Sequence, residues 1–86
     1  MMEKQVAVVN ETGLHARPAA DFVKYVKTFK NNITLTKDNK TVNAKSILHL
    51  LSLSLKKGDR FTVRVEGEQE EEVLENIIQF VEGLKE

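Results

Sequence analysis

The stretch Gly-Leu-His-Ala-Arg-Pro-Ala-Ala at residues 13–20 organises the chain, because a loop ends and an amphipathic helix begins within it. Proline is well tolerated in the first turn of a helix, where its missing N–H would have no partner. The sequence therefore predicts a helix that begins at Ala16 or Arg17, with His15 at or beside its N-cap. The unpaired N–H groups and the helix dipole make such a terminus attractive to anions.

The residue types in this stretch are those that phosphoryl transfer requires. A neutral imidazole has one unprotonated nitrogen that can attack phosphorus near neutral pH. The transfer needs mainly positioning and charge neutralisation, which the backbone N–H groups of Ala16 and Arg17 and the Arg17 guanidinium can supply. The motif therefore favours His15 as a residue that takes up and releases a phosphoryl group. A capping histidine without a chemical role is the alternative, and this motif alone does not exclude it.

The flanking residues alternate between strand and helix patterns. Residues 4–9 predict a strand, and the helix that follows the motif extends to about Phe29. Its buried stripe is Ala19, Phe22, Val23 and Val26. Strands at 33–36 and 41–43 are predicted next, joined by a turn at 38–39, and a helix then follows Ser46 and is ended by residues 56–59. A strand at 60–66 comes after it, and the acidic run 68–72 begins the last helix. The apolar residues of that helix are Val73, Leu74, Ile77, Ile78, Val81 and Leu84. The order β-α-β-β-α-β-α predicts a two-layer α+β sandwich with the helices on one face of the sheet.

Length and composition exclude several classes of protein. The 86 residues predict one domain, 1–86, whose hydrophobic content of 41% and charged content of 30% are ordinary for a globular chain. The absence of cysteine excludes disulfides and thiolate metal sites, and it is compatible with a reducing cytosol, so we expect a cytoplasmic location. The N-terminus lacks an apolar signal core and no stretch is long enough to span a membrane, so we expect no membrane insertion.

The charged residues are divided unevenly along the chain, although the net charge is zero. Residues 1–65 carry 12 Lys or Arg and 5 Asp or Glu, whereas residues 66–86 carry 1 Lys and 8 Glu. One interpretation is a solvated C-terminal helix with an acidic first turn. The other is a basic face, carrying His15, that steers toward acidic protein partners.

A second motif, Thr-Val-Asn-Ala-Lys-Ser-Ile at residues 41–47, places Ser46 at the start of the short second helix. Serine is a favoured N-cap residue, and a plain cap is one interpretation of Ser46. The two motifs, at this separation and in this element order, resemble the HPr family of histidine-containing phosphocarriers of the bacterial sugar phosphotransferase system. The resemblance covers essentially the whole chain. It implies a four-stranded antiparallel sheet in the order 1-4-2-3, open on one side and covered by three helices on the other.

The resemblance also implies roles for individual residues. His15 matches the site phosphorylated by enzyme I at the expense of phosphoenolpyruvate, from which the phosphoryl group passes to sugar-specific enzyme II A components. Arg17 matches the arginine that neutralises this group. Ser46 matches the serine phosphorylated by the HPr kinase/phosphorylase, a mark that promotes binding to a catabolite-control transcription factor. A related paralogue keeps the serine and lacks the histidine, so the presence of His15 indicates the full carrier.

Partner contacts are expected on the second helix and on nearby lysines. The residues concerned are Ile47, Leu48, Leu51, Lys24, Lys27 and Lys45. The family often has Met-Gly where this chain has Leu48-His49, and a glycine where it has Ser54, so its partner preference is open. His49 lacks metal-ligand spacing with His15 and is interpreted as a surface histidine. We expect a monomer with no cofactor and no metal.

Two other functions compete with the carrier. The first is a regulatory binding module that acts mainly through phosphorylated Ser46 as a corepressor. The second is a small nucleic-acid binder of similar layout, for which the zero net charge is unfavourable. The alternating Phe61, Val63 and Val65 are interpreted as core residues rather than a base-stacking platform, so no direct nucleic-acid contact is expected.

Overall fold

The fold follows the predicted order of strands and helices. The computed structural model describes residues 1–84 and contains seven elements. They are β1 (Met2–Ala7), α1 (Ala16–Val26), β2 (Asn32–Lys37), β3 (Lys40–Asn43), α2 (Ile47–Leu51), β4 (Arg60–Glu66) and α3 (Glu70–Glu82). The predicted domain 1–86 extends two residues further, and these lie outside the described residues.

The four strands form one antiparallel sheet in the order β1-β4-β2-β3, which confirms the predicted topology. The central strand β4 pairs with β1 from Met2↔Val65 to Ala7↔Arg60. On its other side Val65 pairs with Ile33 of β2. Because successive side chains of a strand point to opposite faces, the strict alternation in residues 60–66 buries Phe61, Val63 and Val65 on one side only.

The three helices cover the buried side of this sheet. In α1 the buried residues are the predicted stripe of Ala19, Phe22, Val23 and Val26. In α3 they are Val73, Leu74, Ile77, Ile78 and Val81, whereas Leu84 is half-buried. In α2 only Leu50 is buried. The fold is therefore an open-faced sandwich, with one face of the sheet left to solvent.

The first helix ends three residues before the predicted Phe29. Beyond Val26 the chain tightens, with Thr28 N donating to Tyr25 O and Phe29 N to Val26 O. The Thr28 hydroxyl also donates to Tyr25 O at 2.7 Å. A threonine side chain that bonds a nearby carbonyl competes with the regular helix pattern, and this accounts for the early end.

The second helix is also shorter than predicted, because it ends at Leu51 and not near Leu55. The prediction that residues 56–59 end this helix is therefore wrong. Ser54 adopts a left-handed backbone with φ of 52°, which a helix cannot contain. The chain then forms a separate segment of residues 52–59 that leads back to the sheet.

The first strand begins and ends two residues earlier than the predicted range of 4–9. Its limits are set by its partner, because Ala7 is paired with Arg60, the first residue of β4. Val8 continues the contact outside the strand by donating to Asp59 O at 2.9 Å. Within residues 1–84, no helix is long and apolar enough to cross a membrane.

Candidate functional site

His15 is the N-cap residue of α1, as predicted. Its backbone is extended, with φ of −125° and ψ of 153°, and its side chain makes no capping hydrogen bond. The imidazole is exposed and stands beside first-turn N–H groups, which have no acceptor within the helix. The side chain is therefore available for chemistry, because the helix does not use it.

The backbone around His15 adopts unusual conformations at three points. Gly13, Ala16 and Ser54 all have positive φ angles, of 71°, 41° and 52° respectively. A left-handed conformation costs a non-glycine residue roughly 1–2 kcal/mol, so the surrounding contacts must hold it in place. Such strain is concentrated at functional sites, and here it surrounds the exposed histidine.

The loop that carries His15 rests directly on another segment of backbone. Leu14 N donates to Leu55 O at 3.0 Å. A Cβ atom on Gly13 would lie only 2.3 Å from the same Leu55 oxygen, so residue 13 must be a glycine for the two backbones to approach this closely. The glycine in the motif is thereby explained by packing as well as by its turn.

Asn10 fixes the other side of this loop, a role that the sequence analysis missed. Its Nδ2 donates to Gly13 O at 2.7 Å, and Gly13 N donates back to Asn10 O at 3.1 Å. Asn10 is only 4% exposed and is the only buried polar residue among those the structure describes. The sequence signal was an asparagine three residues before a glycine, which is typical of a turn and says nothing about burial.

Two shallow depressions meet at His15. The first is formed with Thr12, Ala16, Arg17, Pro18, Asp21 and Leu84. The second is formed with Thr12, Leu14, Leu51, Ser54, Leu55 and Lys56. The structure thus brings His15 and Arg17 together as predicted. It also brings the C-terminal end of α2 to the opposite side of the imidazole.

Ser46 is the N-cap of α2, as the sequence indicated. Its Oγ accepts from His49 N at 3.4 Å, and Leu50 N donates to Ser46 O at 2.9 Å. The preceding turn is closed by Asn43, whose Oδ1 accepts from Lys45 N at 2.9 Å. The Ser46 hydroxyl is half-buried and has a structural role in the helix, in contrast to the His15 imidazole.

The residues predicted for partner contact do not share one environment. Leu48 is 77% exposed and Ile47 is also exposed, whereas Leu51 is half-buried in the depression beside His15. These three residues present apolar surface on α2, and Leu51 places the C-terminal end of this helix beside His15. A solvent-exposed leucine is common by itself, but here it lies on the helix that adjoins the imidazole.

The three lysines also differ. Lys24 and Lys27 are exposed at the C-terminal end of α1, where their charges favour the negative end of the helix dipole. Lys45 is engaged in the structure, because its Nζ donates to Phe29 O at 2.6 Å and to Asn31 O at 2.7 Å. Lys45 thus holds the turn after α1, which the sequence analysis did not foresee.

A metal role finds no support in the part of the chain that the structure describes. In residues 1–84, no three His, Asp or Glu side chains converge in an arrangement that could hold an ion. His49 is exposed on α2, in keeping with its interpretation as a surface histidine.

The structure has a sheet of four antiparallel strands covered by three helices. An exposed histidine occupies the N-cap position of the first helix, beside an arginine. These features together define the class of small α+β phosphocarrier domains. A protein-family model described as the PTS HPr component phosphorylation site matches residues 2–83. The chain belongs to the HPr family.

Individual relatives agree with this assignment. The chain is 49% identical over 82 residues to the HPr-like protein Crh of Halalkalibacterium halodurans, covering 95% of this chain and 98% of that protein. It is 44% identical over 84 residues to the phosphocarrier protein HPr of Vibrio cholerae, covering 98% of this chain and 99% of that protein. The family role is therefore that of a phosphocarrier in the phosphotransferase system.

Solved structures match over nearly the whole fold. HPr-C-His from Thermoanaerobacter tengcongensis superposes with a TM-score of 0.91 at 43% identity, covering 95% of this chain and 92% of that one. A dimer of HPr from the same organism matches with a TM-score of 0.74 at 43% identity, covering 95% and 94%. Because a similar protein forms a dimer, the monomer expected for this chain stays a prediction.

Proposed function

We propose that His15 accepts a phosphoryl group from phosphorylated enzyme I and passes it to sugar-specific enzyme II A components during sugar uptake, in the cytoplasm. One observation carries this proposal: His15 occupies the N-cap position of α1, and its exposed imidazole makes no capping hydrogen bond. Membership of the HPr family supports the general role of phosphocarrier. The residue assignments are inferred from the geometry and from the family motif.

The proposed step is an in-line transfer between two protein side chains. A free nitrogen of His15 forms a bond to phosphorus while the bond between phosphorus and the donor group of enzyme I breaks, so no other reactant is needed. The backbone N–H groups of Ala16 and Arg17, together with the Arg17 guanidinium, neutralise the charge on the phosphoryl oxygens. An exposed helix terminus contributes only about 0.3–1 kcal/mol. The phosphoryl group can therefore leave again for the next acceptor.

We further propose that phosphorylation of Ser46 regulates partner choice. A phosphoserine carries about −1.5 to −2 charges, and the N-terminus of a helix accommodates such an anion. The phosphate would lie beside the exposed Ile47 and Leu48, where it opposes docking of an acidic partner such as enzyme I. The proposed agents are a family kinase/phosphorylase and a catabolite-control transcription factor.

The second candidate function is a regulatory module that acts mainly through phosphorylated Ser46. Similarity to an HPr-like protein Crh, the relative with 49% identity, supports keeping this alternative. The two functions differ in the residue that they require, because the carrier needs His15 and the module needs only Ser46. Affinity for a repressor partner should rise when Ser46 is phosphorylated and should not rise in Ser46→Ala treated with the same kinase.

Incubation with phosphoenolpyruvate and enzyme I, followed by intact-mass spectrometry, tests the carrier. We expect the wild-type chain and Ser46→Ala to gain the mass of one phosphoryl group, in a form that is labile to acid and stable to base. His15→Ala should gain none. Phosphorylation of His15→Ala at the wild-type rate would overturn the assignment, and Ser46→Ala provides the matched control because it removes the other candidate site.

A further inference from the structure

A lysine ammonium outside the site holds the segment on which the His15 loop rests. Lys37 is the last residue of β2, and its Nζ lies 2.9 Å from Asp59 Oδ2. The same Nζ lies 3.3 Å from Leu53 O and 3.3 Å from Ser54 O. An ammonium group has three N–H donors, so these three acceptors use its whole capacity. The Lys37 side chain is 23% exposed and that of Asp59 is 32% exposed, so the contact is partly shielded from water.

The three acceptors lie at the two ends of one segment, residues 53–59. Its beginning is held through the carbonyls of Leu53 and Ser54, and its end through the Asp59 carboxylate. The same carboxylate oxygen accepts from Lys56 N at 2.9 Å, inside the segment. The segment is thus closed into a loop whose ends are joined by a single cation.

The segment meets the His15 motif through its middle. Leu55 O accepts from Leu14 N and lies only 2.3 Å from the position that a Cβ atom on residue 13 would take. Ser54 and Leu55 also form one wall of the depression that His15 lines. A displacement of this segment would therefore move the support of His15 and the surface beside its imidazole together.

The conformation of the segment needs such a restraint. Ser54 has a φ of 52°, a left-handed conformation that a serine does not favour. Its carbonyl oxygen is one of the three acceptors of Lys37. Strained residues persist where the surroundings over-determine them, and Lys37 contacts the carbonyl oxygens of the two peptide groups on either side of the Ser54 Cα atom.

We propose that Lys37 is a positioning residue for the phosphorylation of His15, acting through residues 53–59 rather than by contact with the phosphoryl group. This rests on the proposed carrier function. Removal of the ammonium releases Leu53, Ser54 and Asp59 together and lets the support of Leu14 shift. A misplacement of about 1 Å can cost about a hundredfold in rate, and partial release of this support should cost about tenfold.

The test compares Lys37→Met with Lys4→Met. Both substitutions remove one positive charge and keep an unbranched stem, but Lys4 lies on β1, outside residues 53–59 and outside the His15 loop, and among the contacts the structure describes its Nζ reaches only the exposed Glu75 carboxylate, at 3.5 Å. With enzyme I and phosphoenolpyruvate, we expect Lys37→Met to show about a tenfold lower maximal rate of phosphorylation with an unchanged KM for the carrier. Lys4→Met should match the wild-type maximal rate.

The outcomes separate this proposal from the carrier function. Equal maximal rates for the two lysine variants overturn the positioning role while leaving His15 as the acceptor. Wild-type protein that takes no phosphoryl group overturns the carrier function itself. A rise in KM by the same factor in both variants would show that only charge steering is lost, and it would also overturn the positioning role.

A second variant keeps the test decisive where Lys37→Met folds poorly. Asp59→Asn retains the size of the side chain and removes the charge that Lys37 contacts. We expect it to lower the maximal rate in the same direction and to accelerate hydrogen exchange at Leu14 N–H, which is bonded to Leu55 O. Lys37→Arg should restore part of the rate, because it returns a cation with several donors. Wild-type exchange at Leu14 and a wild-type rate in Asp59→Asn would contradict the proposal.

Discussion

The N-termini of α1 and α2 each carry a side chain that we propose is phosphorylated, and the two termini are built differently. At α1 the His15 side chain makes no capping bond, and the turn is shaped by positive φ angles at Gly13, which a glycine adopts freely, and at Ala16, where it is strained. At α2 the Ser46 side chain itself caps the helix by accepting from His49 N. The backbone therefore maintains the shape of the α1 terminus, whereas the Ser46 side chain itself maintains that of the α2 terminus.

At the N-terminus of α1, the side chain proposed to be phosphorylated does not stabilise the helix. At the N-terminus of α2, the same side chain would be phosphorylated and also stabilises the helix. Under the proposed carrier role, a phosphoryl group would join and leave His15 without breaking a capping hydrogen bond, as a repeatedly used carrier requires. At Ser46 a modification changes the group that caps the helix, although phosphate oxygens can accept from the same N–H. A residue of that kind is better suited to a lasting mark than to rapid relay.

The largest effect is expected where the backbone itself supports His15. Gly13→Ala places a Cβ atom 2.3 Å from Leu55 O at a φ of 71°, so it combines a left-handed penalty with a steric clash. We expect a loss of about 2–5 kcal/mol in the free energy of unfolding, measured by urea denaturation. Gly58→Ala is the matched control: its φ is 89° but nothing lies within 4 Å, so it should lose only about 1–2 kcal/mol. Equal losses would show that the close approach at Gly13 is unimportant.

The next effect is expected from removing the side chain at each of the two N-cap positions. Ser46→Ala removes a cap and should cost about 0.5–1 kcal/mol, at the low end for such caps because the bond to His49 N is long at 3.4 Å. His15→Ala removes no capping bond and should change the free energy of unfolding by less than about 0.5 kcal/mol. Thermal or urea unfolding of both variants measures this. A larger loss in His15→Ala than in Ser46→Ala would reverse the comparison.

Much of this arrangement could be predicted from local sequence patterns. The alternation in residues 60–66 gave the limits of β4, and the 3.6-residue periodicity gave the buried face of α1. His15 and Ser46 were placed at helix N-termini because Pro18 and the serine are strong positional signals. Such features depend on neighbouring residues, and the sequence records them directly.

Features that depend on distant residues could not be predicted in this way. The pattern of leucines in residues 50–55 is typical of a helix that continues. Position 54 is a serine and not a glycine, so the sequence does not indicate the left-handed conformation found there. Lys37 and Lys45 bond carbonyl groups 14 to 17 positions away, and a long flexible side chain gives no sign of its acceptor. Asn10 is buried because the loop of Gly13 folds over it, which is a property of the tertiary structure.

A smaller effect is expected from relieving the strain at the first helix terminus. Ala16 has a φ of 41°, so Ala16→Gly should raise the free energy of unfolding by about 0.5 kcal/mol, the relief of strain being partly offset by the greater unfolded-state entropy of glycine. Ala20→Gly, at an exposed position inside α1, should instead lower it by about 1 kcal/mol. A loss in both variants would show that the backbone at Ala16 is not strained.

The smallest effect concerns the pH dependence of the segment that supports His15. The pKa of Asp59 is held below its ordinary value of 3.8, first by the hydrogen bond from Lys56 N–H and then by that from Lys37. Because the folded-state pKa is the lower one, ionised Asp59 stabilises the fold fully above its ordinary pKa, and this contribution is lost as the pH falls through the folded value. The carboxylate is exposed to screening, so the change is small.

Hydrogen exchange measured at one amide near each of the two helix N-termini can detect this small effect. Leu14 N–H bonds the Leu55 carbonyl in the segment that Asp59 closes, whereas His49 N–H bonds the Ser46 side chain. Protection of Leu14 in the wild-type chain should exceed that in Asp59→Asn at neutral pH, and the difference should shrink as the pH falls below about 4. Protection of His49 should be the same in both proteins. If the difference in Leu14 protection stayed constant down to low pH, ionisation of Asp59 would have no part in holding the His15 loop. If Asp59→Asn lost protection equally at Leu14 and His49, the substitution would loosen the whole fold and not a local support.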